Sequence, residues 1–298
     1  MEQARMAEEA GFEALWISDH YHPWNEEQGN SPFVWSVIGG LSEVTSRVKV
    51  VTAATCPTMR IHPAVIAQAT ATSAAMLPGR FEFGVGSGEN LNEHVFGDAW
   101  PSTDVRLEML EEAIEVIRLL WEGGTKDHEG KHYRVENARI YTLPDETLPI
   151  LVSGFGPKAT RLAARIGDGY VNAVPDAELL NPLLGRRRQT RPRRLQGLLW
   201  RGRSGGPQDR PPALAERLAP RRARRGLAYT GPLRAGRPAG HRGDGRGGHA
   251  LRPDSEPHRE MIHQFADAGY DEVYVQQIGP NQKAFFDFYE KEILPEFR

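Results

Sequence analysis

Two hydrophobic rhythms alternate along this chain. Short apolar runs at Ala14–Ser18, Val48–Ala54, Phe81–Val85, Ile150–Ser153, Tyr170–Ala173 and Glu272–Gln276 are bounded by turn residues and predict buried strands. Between them, 2–10, Phe33–Thr45, Pro63–Met76, Asp104–Trp121, Pro157–Ile166, Pro257–Ala268 and Gln282–Ile293 predict helices. In Asp104–Trp121 the apolar positions Val105, Leu107, Leu110, Ile114, Ile117 and Leu120 keep helical spacing until Gly123-Gly124 stops it. Ser31-Pro32 and Pro63 are start signals for their helices. Lys131–Tyr141 predicts a hairpin inserted between units.

Strand and helix in strict alternation predict a parallel sheet with crossover helices. Six strands are visible in the pattern; one more is expected before Met1 and one inside residues 182–253, which makes the eight of a (β/α)8 TIM barrel. An open doubly wound sheet would place a glycine fingerprint after its first strand, and Ser18-Asp19-His20 is not one. The length, 298 residues, suits one such domain. No apolar run approaches the roughly 18 residues of a membrane span, and no signal peptide is read in the first helix. A single cysteine, Cys56, excludes an internal disulfide and points to a reducing, cytoplasmic setting.

Composition changes the picture in one place. Residues 182–252 hold 19 Arg, no Lys and three acids (Asp209, Glu216, Asp244), a net of +16 against -18 for the remainder, so the overall -2 conceals two unlike regions. The window has 13 Gly and 8 Pro but no Val, Ile, Phe, Met or Asn, the types that build strands and cores. Its expected state is disorder, because too little apolar surface is available to offset chain entropy. Three segments follow: 1–181 and 254–298 as two parts of the barrel, and 182–253 as an aberrant stretch in place of the seventh strand. Three origins compete for it. A nucleic-acid-binding linker fits poorly, without Lys or interleaved aromatics. A disordered insertion is the second. The third is a pair of compensating frame shifts, because Arg, Gly, Pro and Ala are what out-of-frame GC-rich codons spell. A barrel short of two strands would also expose two sheet edges.

The candidate chemistry lies at strand ends. Ala14–Ser18 runs into Asp19, His20, Tyr21, His22, Pro23 and Trp24, and Phe81–Val85 runs into Gly86, Ser87, Gly88, Glu89 and Asn92. Catalytic groups of a (β/α) barrel sit at this end of its strands. A lone histidine there is ordinarily a hydrogen-bonded loop residue; its setting between Asp19 and Trp24 favours catalysis. GVGSGE is not G-x-G-x-x-G, because Glu89 takes the last glycine place. His20 and His22 evoke a metal hydrolase, but the later strand ends supply no second ligand cluster, so no metal is expected. Trp16, Trp35 and Trp121 are read as packing residues and His62 as a helix-entry residue, while Met59 and Arg60 receive no role.

SDHYHPW, TCPTMRIHPAVIAQATAT, GRFEFGVGSGENLNE and LPILVSGFGPKATRLAARIGDGY, in this order, resemble the luciferase-like flavin/deazaflavin oxidoreductases. The likeness is strongest to the branch of the F420-dependent glucose-6-phosphate dehydrogenases, over residues 1–180 and 257–298. It implies a barrel with coenzyme F420 across its C-terminal mouth, or FMN as in the monooxygenases of the family, and a homodimer acting on a small-molecule substrate. It implies that His20 handles the substrate hydroxyl proton, that Trp24 walls the reacting ring, and that Glu89 is the carboxylic acid beside the deazaflavin pyrimidine. It makes Asp19, Ser87, Gly88 and Asn92 cofactor contacts and Ala53 and Ala54 a bulge with a cis peptide behind the ring. Ser153, Gly154, Phe155 and Gly156 then form the loop that receives the cofactor phosphate. One basic residue that holds a sugar phosphate in that branch is replaced by Asp176, so an alcohol, aldehyde or enone with less negative charge suits this chain no worse. The competing class is an inactive fragment whose Arg-rich stretch attracts polyanions without specificity.

Resequencing the source DNA across codons 175–260 is expected to reveal two compensating insertions or deletions; a clean read makes the Arg-rich stretch genuine.

Overall fold

The computed structural model describes residues 1–24, 26, 29–180, 194–201, 254–277 and 280–297. They belong to one compact unit, Met1–Arg201 with Ser255–Arg298; the other unit, Gly202–Asp254, lies outside the described residues except at Asp254. The elements in chain order are α1 (Glu2–Ala10), β1 (Ala14–Ile17), α2 (Val34–Val44), β2 (Lys49–Thr52), α3 (Pro63–Met76), β3 (Phe81–Val85), α4 (Asn90–Glu93) and α5 (Thr103–Trp121). There follow β4 (Lys126–Glu129), β5 (Arg134–Ala138), β6 (Ile150–Ser153), α6 (Pro157–Ile166), β7 (Gly169–Asn172), β8 (Arg194–Arg201), α7 (Glu256–Ala268), β9 (Glu272–Gln277) and α8 (Gln282–Phe288).

Seven strands form one parallel sheet in the order β1-β2-β3-β6-β7-β8-β9. The sheet curls until its two ends meet: Trp16 on β1 stacks on Tyr274 of β9 at 4.1 Å between centroids, and Lys49 of β2 lies 3.4 Å from Glu272 of β9. This is an α/β barrel that stops just short of hydrogen-bonded closure. Alternate residues explain why the strands read as continuous apolar runs. Val50, Phe83, Ile150, Val152 and Tyr170 pack against the helices, with Ile38, Ile66, Ile114 and Ile117. Their neighbours Val51, Leu151, Val171 and Tyr274 face inward with Trp16. Below them, at the N-terminal ends of the strands, the interior turns polar. Gln196 donates to Glu82 at 3.1 Å and to Glu272 at 2.9 Å, and Lys49 lies 3.4 Å from both carboxylates.

The stretch read as aberrant carries the strand that the eight-strand count placed inside 182–253: β8, parallel to β7 and β9. Composition averaged over the window hid a local apolar run, Leu195-Gln196-Gly197-Leu198-Leu199-Trp200. Gly197 is what lets it lie down, since a Cβ there would sit 2.2 Å from the Phe265 ring on α7. The rest of 182–253, and with it the expected disorder, lies outside the described residues. Among the described residues the sheet has two edges, β1 and β9, which face each other across one opening. The hairpin is also displaced: it pairs β4 with β5, beginning at Lys126. A two-stranded ribbon of KDHE and RVENA buries little, so it has no apolar alternation to read.

Polar clasps fix the outer elements. Glu112 on α5 accepts backbone N–H bonds from His132 (2.9 Å) and Tyr133 (2.8 Å), and its other neighbour is His128 Nε2 at 3.2 Å. That docks the hairpin so that Tyr133 Oη donates to the Thr58 carbonyl at 2.9 Å, in the segment between β2 and α3. Glu8 on α1 accepts from the N–H groups of Ser46 (3.0 Å), Arg47 and Val48 (3.0 Å), joining α1 to the entry of β2. Among the described residues, no helix is long and apolar enough to cross a membrane.

Desolvation opposes the Glu8 charge, but the backbone N–H groups of Val48, Arg47 and Ser46, with the Arg47 guanidinium, outweigh it and hold the carboxyl at about 2. A depressed carboxylate stabilises the fold above its unfolded value and loses that effect as pH falls through the folded one. Glu8→Gln is therefore expected to lower the unfolding temperature at neutral pH, with the gap from the parent closing between about 4.5 and about 2. Thermal unfolding followed by circular dichroism across that range checks it.

Candidate active site

Because the strands are parallel neighbours, their C-terminal ends open on one side of the sheet. Asp19 and His20 follow β1, Ala53 and Ala54 follow β2, Ser87–Glu89 follow β3, Gly154–Gly156 follow β6, and Asp176 lies shortly after β7. All the sequence-predicted site residues thus share one rim.

The β1 end is the best-defined part. His20 is half-buried, and its ring stacks on Trp24 at 5.9 Å between centroids and 22° between planes. Trp24 itself is exposed. Burial is the main force lowering the His20 pKa from 6.5; the Asp19 carboxylate opposes it and Arg60 reinforces it. The backbone N–H groups of Tyr21 and His22 both donate to Asn92 Oδ1, at 3.0 and 3.2 Å. The buried side-chain carbonyl of Asn92 thus holds the His20 segment.

Beneath that segment lies an ion cluster. Arg60 donates through Nη2 to the Asp19 carbonyl (2.9 Å) and Oδ1 (3.0 Å), and through Nε to Glu93 (3.2 Å). All three side chains are nearly inaccessible, at 7% for Arg60 and 2% for each carboxylate. Burial pushes the Glu93 carboxyl up, while Arg60 pulls it down. Next to the cluster, burial raises the Cys56 thiol to about 12, so it is an inert packing group.

At β2 the ladder slips by one residue. Val51 pairs with Glu82, yet Thr55 bridges Val85, so Ala53 and Ala54 form the expected bulge, and the peptide between them is cis. Thr52 secures it from below, its Oγ1 donating to the Gly84 carbonyl at 2.9 Å and accepting from the Gly84 N–H at 3.0 Å. Ser87 and Gly88 are half-buried; Glu89 lies exposed at the rim, where partial desolvation shifts its carboxyl upward.

The fourth part is the turn from β6 into α6. Gly156 is the N-cap, Pro157 fills the first turn, and Gly154 is buried while Phe155 is exposed. The hydroxyl of Tyr170, on β7, donates to the Gly154 carbonyl and lies 3.1 Å from Thr160 Oγ1, so the turn is braced from beneath. Asn172, missed from sequence, ends β7 fully buried, its side chain beside the Tyr170 and Tyr270 hydroxyls. Asp176 accepts from the N–H groups of Glu178 (3.0 Å) and Leu179 (3.1 Å): it caps the backbone that follows it.

The profile of luciferase-like monooxygenases matches residues 1–188. The chain belongs to this family. Among curated luciferase-like relatives, the F420-dependent glucose-6-phosphate dehydrogenase of Microbacterium testaceum is 36% identical over 98% of this chain and 91% of its own length. That of Nakamurella multipartita is 35% identical over 98% and 90%. Among solved structures, an F420-dependent secondary alcohol dehydrogenase in complex with an F420–acetone adduct matches with a TM-score of 0.77 at 26% identity, covering 100% of this chain and 94% of that one.

Asn92→Ala is expected to leave the Tyr21 and His22 N–H groups without their acceptor, at a cost of about 1–3 kcal/mol. Urea denaturation measures the loss, and limited proteolysis should show new cleavage within residues 18–24.

Proposed function

We propose that this luciferase-like protein is an F420-dependent oxidoreductase that moves a hydride between coenzyme F420 and a small alcohol or its carbonyl partner. The observation that carries the reading is the shared rim: His20 with Trp24, the Ala53–Ala54 bulge, Glu89 and the β6–α6 turn occupy the C-terminal ends of successive parallel strands. The described residues also fit the cofactor chemically. Asp19 Oδ2 is a buried acceptor lacking a partner among the described residues. A deazaflavin offers N–H and hydroxyl groups to it. The N-terminus of α6, with Gly154 and Gly156, is suited to its phosphate. Ser87 and Gly88 would line the ring from β3.

When bound, F420 supplies the hydride acceptor. The chain's own residues handle the rest. Hydride removal from an alcohol carbon leaves a hydroxyl proton, which a neutral imidazole accepts. Burial keeps His20 in that neutral form, and the Trp24 indole limits rotation of its ring. Glu89, its carboxyl shifted upward by desolvation, stands beside the place where reduction adds negative charge. Asp176, an acid engaged as a cap, favours an uncharged alcohol over glucose 6-phosphate. A cytosolic homodimer belongs to the same proposal.

Fluorescence titration of the full chain is expected to show saturable F420 binding that outcompetes FMN. His20→Asn should lower kcat for alcohol oxidation about 10²–10⁴-fold with little change in F420 affinity. In the parent, kcat/KM should fall on the acid side through a pKa below 6.5, as the imidazole becomes protonated. An unshifted pH profile in the variant would remove His20 from the role of base.

A further inference from the structure

We propose that Arg60 is a positioning residue whose guanidinium fixes Asp19 and the Asp19–His20 peptide, leaving Asp19 Oδ2, unpartnered among the described residues, as an acceptor for the cofactor in the barrel mouth. The inference rests on the F420 reading of that mouth. It begins with how the donors are spent. Nη2 holds both the Asp19 carbonyl (2.9 Å) and Oδ1 (3.0 Å), while Nε holds Glu93 (3.2 Å). The Asp19 carbonyl belongs to the peptide plane that carries the His20 nitrogen, so anchoring it sets the direction in which His20 leaves β1. Oδ2 of the same carboxylate is buried and has no partner among the described residues. The guanidinium therefore grips one face of Asp19 and leaves the other to whatever fills the mouth.

Charge and anchoring support the same conclusion. Two carboxylates share one cation in a site with almost no solvent, which leaves a surplus acceptor for a donor from outside to satisfy. Arg60 is itself held from behind. The segment that carries it receives the Tyr133 hydroxyl at the Thr58 carbonyl (2.9 Å), and Glu93 follows Asn92, which accepts from Tyr21 and His22. A lysine carries the same charge but, as a point donor, cannot reproduce the planar fork across Asp19 and Glu93. Charge and geometry can therefore be separated by substitution.

The test compares Arg60→Lys and Arg60→Gln in the full chain by two readouts, F420 affinity from fluorescence titration and the His20 imidazole titration by NMR without cofactor, assigned with His20→Asn. Both variants are expected to bind F420 about tenfold or more weakly, since each misplaces a charged hydrogen bond. Only Arg60→Gln should move the His20 titration to higher pH, because the cation that opposes its protonation is gone; Asp19 is the charge that favours protonation. Lysine should keep it near the parent. Folded variants with parent-like F420 affinity and an unmoved His20 titration would overturn the proposal and leave Arg60 a stability residue. If Arg60→Gln does not fold, Arg60→Lys decides through affinity. If the parent itself does not bind F420, the functional reading fails first, and the His20 titration still decides whether Arg60 governs its neighbour.

Discussion

The buried meeting of one guanidinium with two carboxylates is the constraint on which the mouth of this barrel depends. Arg60, Asp19 and Glu93 come from the ends of three neighbouring strands, and each would be costly to bury alone. Such a cluster adds little net stability compared with apolar packing, yet loss of one member costs about 3–5 kcal/mol, because an uncompensated charge stays behind. It therefore acts as a specification. The chain after β1, the segment before α3 and the short α4 must arrive together in one arrangement or pay the desolvation of an unpaired ion. The segment that carries His20 inherits its placement from that requirement.

The barrel interior shows the same division between packing and specification at its other end. Val51, Leu151, Val171, Tyr274 and Trp16 fill an apolar layer, and beneath it Lys49, Glu82, Gln196 and Glu272 form a linked polar one. Apolar residues tolerate slippage of a strand, but a lysine facing two carboxylates does not. The floor thus pins the register of β2, β3, β8 and β9. The sheet's opening between β1 and β9 is spanned by the Trp16–Tyr274 stack, and not by backbone bonds.

Much of this was legible in the sequence because it follows from periodicity. Helix Pro63–Met76 and strand Phe81–Val85 match their expected bounds, as their apolar faces are sharply bounded by turn residues. His62 serves as the expected helix cap, its Nδ1 accepting from Ala64. The bulge at Ala53–Ala54 came from resemblance alone, since nothing in two alanines announces it. What stayed hidden depended on distant partners. Arg60 gave no signal, because an arginine becomes meaningful only when two acids far along the chain are folded against it. β8 was masked by the arginines around it, and the capping by Asp176 shows only in its hydrogen bonds. The bond from the Tyr21 backbone to the Asn92 oxygen was hidden in the same way, since its partners lie far apart in the chain.

The clasp of Glu112 on the hairpin has an evolutionary consequence. It grips main-chain N–H groups at His132 and Tyr133, which every residue except proline supplies. Docking is thus largely indifferent to what the hairpin spells. Gly130 is the tight point, where a Cβ would fall 2.0 Å from a Glu112 carboxylate oxygen and force the clasp to shift. A ribbon held in this way can exchange nearly all its side chains by neutral drift while still delivering the Tyr133 hydroxyl to the segment behind the mouth. The hairpin is therefore where relatives can diverge most in surface chemistry without disturbing the geometry they share.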